Sequence, residues 1–193
     1  MNVSQTKEHL NIAPQGIHVV TKPIGPLCNL KCEYCFYLEK QALFSANEKY
    51  RMSDDVLRAF IVNYIASQPT PVVEFVWQGG EPTLLGIDFF RRVVELQKQF
   101  AGVKTITNSL QTNGTLLTDE RCKFLRKHNF MVGISLDGPR EVHNRHRRDA
   151  KGRGTFDSVI SGLKLLQKNK VEYNVMACVA RETANKPLEV YNF

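Results

Sequence analysis

Between residues 16 and 193 the chain alternates short β-branched or aromatic runs with longer amphipathic ones, and that alternation restricts its fold more than any other feature. The strand-like runs are "GIHVVTKPI", "PVVEFVW", "KTITNSLQT", "FMVGISLD" and "EYNVMACVA". Between them lies "SDDVLRAFIVNYIAS", which sets Val56, Leu57, Phe60, Ile61, Tyr64 and Ile65 on one helical stripe behind Ser53 as N-cap. "DFFRRVVELQKQFAG" follows with Asp88 as its cap and Gly102 as its stop, and then come "TDERCKFLRKH" and "TFDSVISGLKLLQKN". Five strands and four helices in strict alternation predict an α/β fold with one parallel sheet and right-handed crossovers. "KPLEVYNF" reads as a fifth helix just beginning, so the chain is expected to be the front part of something longer. Residues 1–15 read as an N-terminal extension and 16–193 as one core that is incomplete at its C-terminus.

Composition narrows the class. Of 193 residues, 42% are apolar and 23% charged, which describes a globular chain rather than a disordered one. The N-terminus has no h-region and no Arg-rich amphipathic pattern, and no apolar run is long enough to span a bilayer. A cytoplasmic protein without membrane contact is the expectation. The net charge is +7, but six Lys/Arg against two Asp/Glu fall between Arg140 and Arg153. A local excess in one loop fits an anion site at least as well as a general nucleic-acid footprint, and no nucleic-acid partner is expected.

The five cysteines divide into a cluster, Cys28, Cys32 and Cys35, and two singles, Cys122 and Cys178. An odd, clustered set does not suit a disulfide framework and points to metal or redox chemistry. A structural zinc site takes four ligands, usually in two pairs, and here neither single has a paired neighbour. His18 belongs to the first strand pattern. Three thiolates can instead hold three irons of a cubane iron–sulfur cluster and leave the fourth open to a small ligand. A zinc-binding module remains the competing reading from another class. Cys122, with Leu117 packed on it as a hydrophobic staple to the Thr118 cap, and Cys178, on one face of the fifth strand, read as small buried hydrophobes.

The spacing C-x3-C-x2-C with Tyr34 before Cys35 and Phe36 after it resembles the signature of radical S-adenosylmethionine (SAM) enzymes. The resemblance implies a [4Fe–4S] cluster held by Cys28, Cys32 and Cys35, with SAM chelating the open iron and yielding a 5′-deoxyadenosyl radical on reduction. It also implies a parallel (β/α) partial barrel, here cut off after about five strands. In parallel α/β folds ligands sit at the carboxyl ends of strands, and the remaining motifs fall there. "WQGGEPTL" follows the second strand. Its Gly79 and Gly80 would let the backbone approach a ligand, and Pro82 biases Glu81 towards an extended conformation. It is similar to the family's GGEP element, whose backbone meets the SAM amino group. "LQTNG" follows the third strand and "SLDGPREVHNRHRRD" the fourth. By resemblance, Tyr34, Gly80, Glu81, Ser135 and Arg147 bind the cofactor, Ser135 at its ribose or carboxylate and Arg147 at its carboxylate. Arg148 is the adjacent alternative to Arg147.

From about Val19 onward, "CNLKCEYCFYLEK", "WQGGEPTLLGIDFF", "LQTNGTLL" and "GISLDGPREVHNRHRRD" resemble anaerobic sulfatase-maturating enzymes of the SPASM type, which form formylglycine. The resemblance implies oxidation of a sulfatase cysteine or serine, a sulfatase polypeptide as substrate, and an electron donor such as flavodoxin or ferredoxin. The family's auxiliary-cluster domain, last barrel strand and carboxylate base are expected beyond residue 193, so no catalytic base is assigned in this chain. Another peptide-modifying radical SAM enzyme, thioether-forming or residue-excising, is the nearest alternative, and an inactive truncated remnant is another.

Overall fold

The computed structural model describes residues 16–44 and 50–193, and the extension expected over 1–15 lies outside the described residues. The strands are β1 (Val20–Thr21), β2 (Val72–Trp77), β3 (Thr105–Thr112), β4 (Phe130–Ser135) and β5 (Tyr173–Met176). The α-helices are α1 (Asp54–Ser67), α2 (Ile87–Phe100), α3 (Asp119–Lys127), α4 (Arg140–His146), α5 (Phe156–Lys168), α6 (Arg181–Ala184) and α7 (Pro187–Asn192). Every strand pairs in parallel with its sequence neighbour, in the order β1-β2-β3-β4-β5. With right-handed crossovers, that order lays the intervening helices on one side of the sheet, as in a partial barrel.

Side-chain alternation follows that geometry. Val73, Phe75 and Trp77 of β2, Asn108, Leu110 and Thr112 of β3, and Phe130, Val132 and Ile134 of β4 are buried under the helices. The opposite face carries Glu74, Ser109, Gln111, Gly133 and Ser135, polar or small residues suited to a barrel interior. Trp77 is fully buried in a ring of edge-to-face contacts with Phe60, Phe89 and Phe90, the arrangement favoured by the ring quadrupole. Its indole Nε1 donates to Asn108 Oδ1 (2.8 Å), and Asn108 exchanges amide hydrogen bonds with Gln97 on α2 (2.8 and 2.9 Å). The polar atoms of that buried trio are therefore paired.

Ser53 caps α1 and Thr118 caps α3 as expected, each accepting a backbone N–H three residues on. Several expectations need correction. The first strand is two residues long, because the chain turns from Lys22 to Gly25 and Pro23 has no N–H to pair. The α1 stripe is narrower than expected: Leu57, Ile61, Tyr64 and Ile65 are buried, whereas Val56 is exposed. Gly86, at φ 83°, is the N-cap of α2, and Asp88 lies inside the first turn, paired with Arg91 at 2.7 Å. The basic stretch after β4 begins with a helix, α4, rather than running as one loop. Cys122 is buried and belongs to the same apolar core as Leu117, as expected. Cys178 is exposed, because β5 is an outer strand that ends at Met176.

Candidate active site

The carboxyl ends of the strands converge on one open cavity, the place where parallel α/β folds bind ligands. Cys28, Cys32 and Cys35 line it together with Gly80, Ser135 and Arg147, so residues from three strand-to-helix connections and the end of a strand meet there. Tyr34 and Glu81 are not on its wall. Lys22, Gln78, Gln111 and Asn113 are, and sequence reasoning had not singled them out.

The cysteine loop is held from three sides. Asn113, after β3, donates through Nδ2 to Cys28 Sγ (3.8 Å) and to Asn29 Oδ1 (2.9 Å), and Leu30 N donates to Cys28 Sγ (3.4 Å). Such N–H···S bonds favour thiolate and tune a cluster's potential. Behind Cys32, Lys31 N donates to Arg148 O (2.8 Å) and Glu33 N to His146 O (3.0 Å), stitching the loop to the C-terminal end of α4 and the residues just after it. From the β2 side Glu81 N donates to Leu27 O at 2.7 Å.

Gly79 and Gly80 have φ values of 91° and 36°, where a side chain is disfavoured. A Cβ on Gly80 would overlap Leu27 O and lie 2.6 Å from Leu27 C and 3.0 Å from Gly25 O. The close approach Gly80 permits is thus first of all to the backbone that leads into Cys28, whereas Gly79 makes room for the Lys22 side chain.

Glu81 is fully buried and joins two loops. Its Oε1 accepts from Thr83 N (3.0 Å), Thr83 Oγ1 (2.6 Å) and Thr112 Oγ1 (2.7 Å), and its Oε2 accepts from Asn113 N (2.7 Å). Burial pushes its pKa up and these donors oppose that shift. Four donors aimed at two oxygens suit an ionised acceptor. Its side chain serves as a clamp between the GGEP turn and the residue that bonds Cys28.

Arg147 closes the other wall. Its Nε donates to Asp137 Oδ2 (2.9 Å), its guanidinium lies 5.5 Å over the Tyr34 ring, and the Tyr34 hydroxyl also bonds Asp137 Oδ2. Burial works against the charge on Arg147, but Asp137 beside it holds the pKa above the usual value. The backbone of Arg147 is fixed too: its N donates to His143 O (2.9 Å) and its O accepts from Thr155 Oγ1 (2.9 Å). That donation leaves Thr155 Oγ1 to accept from His143 Nε2 (3.1 Å), while His143 Nδ1 accepts from Asp137 N (3.3 Å). The network therefore assigns His143 as the neutral Nε2–H tautomer, and burial lowers its pKa to about 4. Arg148 is exposed and its Nε donates to Asn144 O and Arg145 O, so it caps α4 rather than facing the cavity. Ser135 accepts from Gln111 Nε2 at 3.1 Å, and the missing Cβ of Gly133 leaves room for that amide.

The thiol chemistry fits an iron–sulfur cluster. Burial raises the pKa of Cys28 and pushes that of Cys32 up to about 11, with Arg147 pulling the latter back down, so a metal has protons to displace on binding. Among the described residues, no three His, Cys, Asp or Glu side chains meet closely enough for a single metal ion. Three thiols around one cavity form a soft donor set of the kind that holds iron–sulfur centres.

Comparison with known proteins gives the family. The model of the Radical SAM superfamily matches residues 23–193. A serine-type anaerobic sulfatase-maturating enzyme of Bacteroides thetaiotaomicron is 49% identical over 177 residues, covering 92% of this chain and 43% of the relative. A cysteine-type anaerobic sulfatase-maturating enzyme of Clostridium perfringens is 40% identical over 179 residues, covering 92% of this chain and 48% of the relative. The solved structure of native anSMEcpe with bound AdoMet and Cp18Cys peptide superposes with a TM-score of 0.81 at 40% identity, covering 89% of this chain and 45% of that one. The chain thus spans under half the length of these two sulfatase-maturating relatives.

Proposed function

We propose that this chain, which belongs to the radical SAM superfamily, is the cofactor-binding core of an anaerobic sulfatase-maturating enzyme. The observation that carries the reading is the shared cavity: three thiols, the Gly80 backbone, Ser135 and Arg147 face one space at the carboxyl ends of parallel strands. Cys28, Cys32 and Cys35 would hold a [4Fe–4S] cluster. When bound, the cluster and SAM together supply a reductively generated radical able to abstract a hydrogen from an unactivated carbon.

The protein's own share is binding and orientation. The Gly80 backbone and Ser135 would take polar groups of SAM, and the Arg147 guanidinium its carboxylate, for which a planar fork is geometrically suited. Glu81 and Asn113 would act one step back, fixing the turn and the cysteine loop. The substrate class we assign is a sulfatase polypeptide whose cysteine or serine becomes formylglycine, by kinship with both serine-type and cysteine-type relatives. A low-potential one-electron donor such as flavodoxin or ferredoxin would supply the electron. Unpaired cysteines and a thiolate-held cluster fit a reducing compartment such as the cytoplasm. Among the described residues no helix is long and apolar enough to cross a membrane.

The test is anaerobic reconstitution of the chain with iron and sulfide, followed by SAM and a strong reductant. Release of 5′-deoxyadenosine by the unsubstituted chain, lost in Cys32→Ala, is the expected result. A chain that takes up zinc in preference to iron and releases none would refute the reading.

A further inference from the structure

The resemblance gave no role to Asp137, yet its carboxylate joins the cysteine loop, Arg147 and the segment after β5. It is 2% exposed and its two oxygens have separate tasks. Oδ1 accepts from Cys178 N (2.9 Å), whereas Oδ2 is shared by the Tyr34 hydroxyl of the cysteine loop and Arg147 Nε (2.9 Å). The partners of the guanidinium are thus confined to its Nε edge and to the Tyr34 ring face. Nη1 and Nη2 have no hydrogen-bond partner among the described residues, and Arg147 lines the cavity.

We infer that Asp137 is the positioning residue for Arg147: by holding Nε in the buried wall it presents the Nη fork, already oriented, to a carboxylate entering the cavity. A fork fixed before binding loses less side-chain freedom on capture than a mobile arginine, and its two parallel donors match a carboxylate. Tyr34 extends the same link to the cysteine loop, so one carboxylate sets the arginine's distance from the loop that carries the three thiols. The inference rests on the reading of Arg147 as the partner of the SAM carboxylate.

Asp137→Asn isolates the effect. The amide keeps an oxygen for Cys178 N and can still bond the Tyr34 hydroxyl with donor and acceptor exchanged, but it sets an N–H against the Arg147 Nε–H. The experiment measures the Kd for SAM on the iron-loaded chain as wild type, D137N, R147A and the double variant. R147A is expected to weaken binding by about 10–100-fold and D137N by about tenfold, the range of charge-assisted hydrogen bonds. The double variant should bind no more weakly than R147A alone. Wild-type affinity in D137N, or losses that add in the double variant, would overturn the positioning role while leaving the Arg147 reading intact. Wild-type affinity in R147A would bring down the Arg147 reading itself. A second measurement needs no substitution: in NMR of the metal-free chain, the Arg147 Nε–H should exchange with solvent more slowly than the Nε–H groups of exposed arginines such as Arg58. Exchange as fast as theirs would count equally against the inference.

Discussion

Gly80→Ala is the sharpest perturbation of the link between the two loops. Gly80 sits at φ 36°, and placing a side chain in the left-handed region costs about 1–2 kcal/mol. The larger problem is the new methyl's neighbour. It would overlap Leu27 O and stand 2.6 Å from Leu27 C, and these are backbone atoms that no rotamer change can move aside. For the carbonyl to retreat, the 2.7 Å hydrogen bond it accepts from Glu81 N has to break, at about 1 kcal/mol. The sum is about 2–3 kcal/mol, and Leu27 can give way only by shifting Cys28, its neighbour in the chain. Gly152→Ala is the control, because Gly152 also has positive φ (78°) but nothing within 4 Å of a Cβ, so only the backbone cost remains. Urea unfolding of the metal-free chain gives both stability changes, and iron content after anaerobic reconstitution gives the effect on Cys28. G80A should be less stable than G152A by at least 1 kcal/mol and should load less iron. Equal stability of the two variants with full iron loading in G80A would refute the claim that this glycine serves the approach to Leu27.

Glu81→Gln exchanges two acceptor oxygens for one oxygen and an amide that faces donors, and should cost about 2–4 kcal/mol in urea unfolding; a change below 0.5 kcal/mol would mean the clamp is immaterial. His143 titrates near 4 in the fold against about 6.5 when unfolded, so the unfolded chain takes up the proton first as pH falls. The stability it lends is complete above about pH 6.5 and lost towards pH 4, roughly 3 kcal/mol in all, and His143→Gln should flatten that part of the stability–pH curve. An unchanged slope would show that another group carries it. Cys122→Ala should lower stability by about 1 kcal/mol through its buried site, Cys178→Ala should change it little, and neither should alter iron content; loss of iron in either would make it a ligand.

The parts of the fold set by local periodicity were legible in the sequence. The short β-branched and aromatic runs "PVVEFVW" and "FMVGISLD" identified β2 and β4, and Ser53 and Thr118 marked helix starts because their hydroxyls are chemically suited to cap. What escaped was decided by tertiary context. "GIHVVTKPI" has the composition of a long strand, but pairing is limited to Val20 and Thr21 by the turn at Pro23. Cys178 alternates with Asn174 and Met176 on one face of the fifth run, but β5 ends at Met176 and leaves it exposed.

The site divides along similar lines. Cysteine spacing and glycine pairs are visible as text because the chemistry fixes them along the chain. Asp137, His143 and Asn113 matter through hydrogen bonds to residues distant in sequence, such as Tyr34, Thr155 and Cys28, and no spacing announces those. Glu81 shows the limit from the other direction: its motif was read as facing a ligand, whereas its carboxylate is taken up by Thr83, Thr112 and Asn113.

The most direct test of the central claim is the electron paramagnetic resonance spectrum of the reconstituted, reduced chain before and after adding SAM. Three thiolates around an open iron imply about four irons per chain and one reduced-cluster signal whose shape changes when SAM binds. A signal indifferent to SAM, or no cluster signal at all, would contradict the account.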